Sequence, residues 1–200
     1  MIENYSLHYS YKNIGDVLIV VVENELISTR SERKGQIEVL YHEDKIIGYN
    51  IFNISEIIKI RNNGPIFLPE PHALAIINDL LKNYGCEELA LQKSSGYYIG
   101  KILDVIELNE EKTYVMVDIA HDMVSTIVKN ASLEVGEKVV VATAGTRLGD
   151  GSIVKLGNMD GTLLNGHICN ELELSISEKE KILKLDIDEE IGKDFFTLEA

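Results

Sequence analysis

Residues 161–174, GTLLNGHICNELEL, hold the side chains of this chain best suited to chemistry: His167 and Cys169 stand one residue apart, shortly after Gly161 and Gly166. On a strand, residues two apart share a face, and imidazole with thiolate is a metal-binding combination. A metal needs more ligands than two, and no second pair follows at a recognised spacing. The pattern therefore predicts packing in a core or at its rim, with no metal. Phosphate-cradling glycines need a strand-turn-helix frame and a following Gly-Lys-Ser/Thr, which this stretch lacks. Gly161 and Gly166 are expected to serve backbone turns or close approaches that a Cβ forbids. HEDK at 42–45 and AHD at 120–122 carry acid-base groups but read as turns, and His72 reads as a solvated residue in a first helical turn. With no nucleophile elbow, His-Glu-x-x-His, Walker loop or dinucleotide fingerprint, no catalytic residue and no cofactor is predicted.

The chain has an ordinary globular composition, 45% hydrophobic and 26% charged. Two hundred residues suffice for one large domain or two small ones, and two are expected. MIENYSLHYSYKN at the start is acidic and polar rather than a basic segment followed by an apolar run. The longest apolar run, VLIVVV at 17–22, falls far short of the roughly 20 residues a spanning helix requires. A cytoplasmic protein without membrane contact is the expectation. Cys86 and Cys169 are isolated and are expected to be buried, reduced thiols. A net charge of −14 argues against a broad grip on a polyanion, though not against a local basic patch.

Along the chain, DVLIVVVE, QIEVLYHEDKIIGYNIF and ISEIIKI are β-like, with EDK at 43–45 as a hairpin connection and NNGP at 62–65 as punctuation. PEPHALAIINDLLKNYG predicts a helix over 71–84, with Pro71 in the first turn, Leu74, Ile77, Leu81 and Tyr84 on one face, and Gly85 closing it. The composition shift at 85–96 places a domain boundary near 92, giving an N-terminal α+β domain over 1–92 and a β domain over 93–200. In the latter, 97–108, 112–120, 123–128 and 137–145 are strands, and SEKEKILKLDID leads into a last strand at 182–187. Closely spaced strands with short turns suggest an all-β Greek-key barrel.

IGKILDV at 99–105, VDIA at 117–120, TIVKNA at 126–131, VGEKVVVATAG at 135–145 and GTLLNGHICNELEL stand in order along the second half. This half resembles the EMAP-II-type tRNA-binding OB domain, a five-stranded Greek-key barrel found in bacterial phenylalanyl-tRNA synthetase beta chains. GYNIFNIS at 48–55 adds a likeness to the N-terminal part of the YtpR-like bacterial proteins. Departures touch the letters that would meet RNA. LNEEKTY stands where the family has a His-Pro-Asp-Ala-Asp-Lys-Leu-like loop, VKNASL lacks the usual proline and asparagine, Asp160 replaces an arginine, Leu164 replaces a serine, and Asn170 departs from the family's serine. The retained glycines preserve turns, whereas a fixed cation and a small hydroxyl are lost.

The resemblance implies a non-catalytic protein that binds tRNA or other structured RNA, with homodimers known among relatives. OB-folds grip the backbone with basic groups and stack bases on aromatics. Carried onto this chain, that points to Lys129, Asn130 and Ser132, to Arg147 and Lys155, and to Asn165 and Asn170, with Tyr114 or Tyr98 as a stacking platform. The alternative is a protein- or peptide-binding module on a diverged OB scaffold that has lost RNA, since fold alone does not fix function.

Overall fold

In the computed structural model, which describes residues 1–61 and 63–197, the chain is mostly β and divides into two compact units, Met1–Lys93 and Ser94–Ala200. The first contains β1 (Ser6–Tyr9), the short α1 (Tyr11–Ile14), β2 (Val17–Val21), β3 (Arg30–Lys34), β4 (Ile37–His42), β5 (Lys45–Phe52), β6 (Gly64–Ile66) and α2 (Pro71–Asn83). All six strands form one antiparallel sheet in the order β3-β4-β5-β2-β1-β6. Alternation places Leu7, Tyr9, Leu18, Val20, Ile37, Val39, Tyr49 and Ile51 on one face. Leu74, Ile77 and Leu81 of α2 join them in a single buried cluster. The helix stops where its sequence says it should. Gly85 takes φ +66°, the Cys86 amide bonds the Leu81 carbonyl at 2.8 Å and the Gly85 amide bonds that of Lys82 at 3.0 Å, a Schellman closure.

Several local expectations need correction. ISEIIKI is not a strand: Asn53 turns the chain at φ 53°, and Asp16 accepts hydrogen bonds from the Ser55 amide (3.1 Å) and hydroxyl (2.7 Å), holding a 3-10 turn over Ile54–Glu56. Part of the NNGP punctuation is itself a strand, β6, at a sheet edge where proline costs no ladder bond. Cys86 is half-buried rather than buried, while Cys169 is fully buried.

The second unit comprises β7 (Tyr97–Glu107), β8 (Lys112–Asp118), β9 (Met123–Lys129), β10 (Lys138–Thr143), β11 (Gly157–Met159), β12 (Thr162–Leu164), β13 (Gly166–Ile168) and β14 (Lys184–Leu185). Its main sheet runs β13-β10-β7-β8-β9, all antiparallel. β7 serves two partners, β10 through its first half and β8 through its second, with a register irregularity between Ile102 and Asp104 where the strand bends. Ile102, Val115, Val117, Ile119, Val124, Val139, Val141 and Ile168 form its core. The last strand is shorter than expected: only Lys184 and Leu185 pair with β10, and Ile182 bridges Asn170.

The two ends of this sheet path are tied together. The Asn165 amide donates to the Ser125 carbonyl at 3.1 Å, the Asn165 Oδ1 accepts from the Ser125 amide at 2.8 Å, and its Nδ2 donates to the Met123 carbonyl at 3.0 Å. β9 is thus bonded to the residue that opens β13. Just upstream, β11 and β12 form a hairpin whose two-residue turn is Asp160–Gly161, with φ values of 49° and 88°. Asp-Gly is a preferred pair for a turn requiring positive φ twice. A Cβ at Gly161 would meet nothing within 4 Å, so its requirement is conformational alone. Gly161→Ala is expected to destabilise the second unit by about 1 kcal/mol, read as a lowered denaturation midpoint. Among the described residues, no helix is long and apolar enough to cross a membrane.

Candidate nucleic-acid interface

A groove of about 740 Å³ opens on the second unit beside the end of β9. One wall arises because β9 finishes at Lys129 and Asn130 then takes φ 49°, its amide donating to the Glu111 carbonyl at 3.0 Å. Leu133, 8% exposed, pins the following segment into the core and leaves Ser132 outward. The opposite wall is residues 180–184, held by the Asn170–Ile182 bridge, the Glu171 amide bond to the Lys181 carbonyl (2.9 Å) and the pairing of β14 with β10. His167, Ile168 and Asn170 line the groove between these walls.

Its charged lining is mainly basic: Lys129, Lys181 and Lys184 against Glu180. Among the described residues Lys129 and Lys181 are exposed and in no ion pair, whereas Lys184 is bound to Glu137. Desolvation pushes the Glu137 carboxyl up. The Lys184 ammonium and the Glu134 amide, 2.9 Å from Oε2, outweigh it and hold the group below the usual carboxylate range. This pair is accessible, so it dampens Lys184 without adding much stability.

The groove thus brings together Lys129, Asn130, Ser132 and Asn170, all singled out from the sequence, and adds Lys181 and Lys184. Asn170 is already partly engaged, its Oδ1 accepting the Glu173 amide at 2.9 Å. Arg147, Lys155 and Asn165 do not line it. Arg147 lies on the loop after β10, where Nη1 donates to the Gly151 carbonyl at 3.3 Å and its backbone bridges Ile153. Lys155 is exposed on the same loop, and the Asn165 amide is spent on β9. The aromatic candidates lie elsewhere too. Tyr114 shares a 3.0 Å hydrogen bond with Ser125, and Tyr98 packs edge-on against His121 at 4.7 Å with its hydroxyl 2.7 Å from Ser94 Oγ. A groove with lysines and amides but no Phe, Tyr or Trp suits an anionic backbone better than a stacked base.

A protein of Bacillus subtilis (strain 168) bearing the name "Putative tRNA-binding protein YtpR" is 28% identical to this chain over 196 residues, covering 94% of this chain and 97% of its own length. The family model described as "Domain of unknown function (DUF4479)" matches residues 24–90. The chain is similar to that protein along nearly its whole length. That likeness spans both units, with the family match lying inside the first and the groove lying in the second. Asp160 stands where the family that the second half resembles has an arginine, and the hairpin supplies a reason of its own for the aspartate. Aspartate before glycine tolerates the left-handed backbone that the β11–β12 turn demands.

Proposed function

We propose that this protein binds tRNA or another structured RNA, without catalysis, through the groove between the end of β9 and residues 180–184. The carrying observation is the convergence there of Lys129 and Lys181, exposed and outside any ion pair among the described residues, from chain segments far apart in sequence. We read the second unit as an OB-type barrel. The path β13-β10-β7-β8-β9 becomes cyclic once Asn165 ties β13 to β9, as a five-stranded Greek-key barrel requires. The name of the Bacillus subtilis relative supports the same ligand.

The acid excess of the chain opposes long-range attraction of RNA, so the grip is local: phosphates held by a few ammonium groups, with amides and hydroxyls fixing the path. Arg147 and Lys155 on the 144–156 loop would extend that path rather than found it. Titrating a tRNA pool by fluorescence anisotropy at several salt concentrations tests the reading. Affinity should fall as salt rises from about 50 to 200 mM. Lys129→Ala and Lys181→Ala should each weaken binding about threefold to tenfold and reduce the magnitude of the log-log salt slope by somewhat under one unit. Binding that ignores salt, or survives unchanged in both variants, would point to a protein-binding surface instead.

A further inference from the structure

Donor atoms of three kinds converge beside the turn that follows β13. A ring nitrogen of His167, the sulfur of Cys169 and a carboxylate oxygen of Glu173 all lie within 4.8 Å of one another. The sequence supplied only a His-x-Cys pair, and the fold supplies the third group. The Asn170 amide donates to Glu173 Oε2 at 2.8 Å, and the Glu173 amide donates to Asn170 Oδ1 at 2.9 Å. This reciprocal pair curls the chain so that Glu173 Oε1 faces His167 Nε2 at 2.9 Å. One carboxylate oxygen is therefore anchored by a backbone amide while the other points at the cluster, which is how surrounding hydrogen bonds orient a metal-binding carboxylate.

Cys169 is fully buried, and its thiol makes a long 3.8 Å contact with the His167 carbonyl oxygen. His167 and Glu173 are hydrogen-bonded to each other, and the buried sulfur lies beside both of them.

We propose that His167, Cys169 and Glu173 form a three-ligand site for a zinc-class divalent cation, with a solvent molecule completing the coordination from the side of the groove that His167 also lines. Nitrogen, sulfur and oxygen donors in a small set favour zinc or cobalt over magnesium or calcium, which demand more oxygen ligands. On binding, Cys169 forms the S–metal bond and releases its S–H proton to solvent, while His167 coordinates as neutral imidazole and Glu173 as carboxylate. One thiolate and one carboxylate neutralise the dication, so the buried sulfur bears no uncompensated charge. This assignment stands apart from RNA binding and is tested without RNA.

The experiment is titration of the chelator-treated full chain with Co(II) alone, followed by displacement with Zn(II). The expected result is one equivalent bound, with a thiolate-to-cobalt charge-transfer band that zinc abolishes and a proton released per metal. Cys169→Ser should remove the band and Cys86→Ser should keep it. His167→Ala and Glu173→Gln should each weaken affinity at least about tenfold. Absence of the band at one equivalent, or its survival in Cys169→Ser, overturns the site. Should Cys169→Ser fail to fold, His167→Ala carries the test: unchanged metal affinity in that variant is equally fatal.

Discussion

Gly166→Ala is expected to lower the stability of the second unit by about 3 kcal/mol, toward the upper end of what overpacking costs. A Cβ at this position would sit 2.2 Å from Val124 Cγ1 and 3.0 Å from the Ala142 carbonyl oxygen. Neither neighbour yields easily. Val124 is fully buried among Val115, Val117 and Val141, and a valine has little freedom at χ1. Ala142 belongs to the β10–β13 ladder, where its partner is His167. Gly166 is thus where β13, paired with β10, passes close to β9, and glycine is the residue that lets them approach. Gly161→Ala is the control, because it adds the same methyl into open space and loses only backbone freedom. Urea midpoints of the two variants should differ by about 2 kcal/mol in the derived stability. Combining Gly166→Ala with Val124→Ala should recover part of the loss, since the two sites share one clash. A Gly166→Ala variant within about 0.5 kcal/mol of the parent would show that β13 is free to shift away from β9.

Elements with strong local signals were readable from the sequence. Pro71, the 3.6-residue recurrence of Leu74, Ile77 and Leu81, and Gly85 define α2 almost to the residue. The two-residue link Glu43–Asp44 and the run Val139–Val141 likewise show in the sequence as a hairpin and a buried strand. β3 does not, because RSERK is an exposed sheet edge with no apolar face to alternate. Gly161 is legible as a turn glycine, whereas the part Asp160 plays in the same turn shows only once β11 and β12 are seen to pair. The basic groove was half legible. Lys129 ends a strand and Asn130 and Ser132 follow it, whereas Lys181 and Lys184 reach the site only through the Ile182 bridge to Asn170 and the pairing of β14 with β10. Such pairings depend on segments tens of residues away, and no window of sequence contains them. Glu173 was missed for a smaller reason. Asn-x-x-Glu at 170–173 is a capping pattern that accounts for the reciprocal bonds between those two residues, whereas the approach of Glu173 to His167 depends on how the turn folds back on β13.

Asn165 separates a structural from a ligand-binding reading of the same residue. Its side-chain oxygen accepts the Ser125 amide at 2.8 Å and its side-chain nitrogen donates to the Met123 carbonyl at 3.0 Å. Asn165→Ala removes both, leaving a half-buried N–H and an exposed C=O that water can reach, so a loss of about 1 kcal/mol is expected. Asn165→Asp should fare no better. The aspartate can still accept from Ser125, but it has no donor for Met123 and sets a negative charge against that carbonyl oxygen. Hydrogen exchange offers the sharpest readout, since the Ser125 amide should lose protection in both variants before the centre of β10 does. The RNA measurement then gives the opposite signature. An uncharged residue occupied in joining β9 to β13 contributes nothing to counterion release, so the salt slope for tRNA should be unchanged in Asn165→Ala. Were Asn165 instead a direct RNA contact, affinity would drop at every salt concentration while the unfolding midpoint stayed in place. A residue that bridges two strands and a residue that holds a ligand are thus told apart by which of two curves moves.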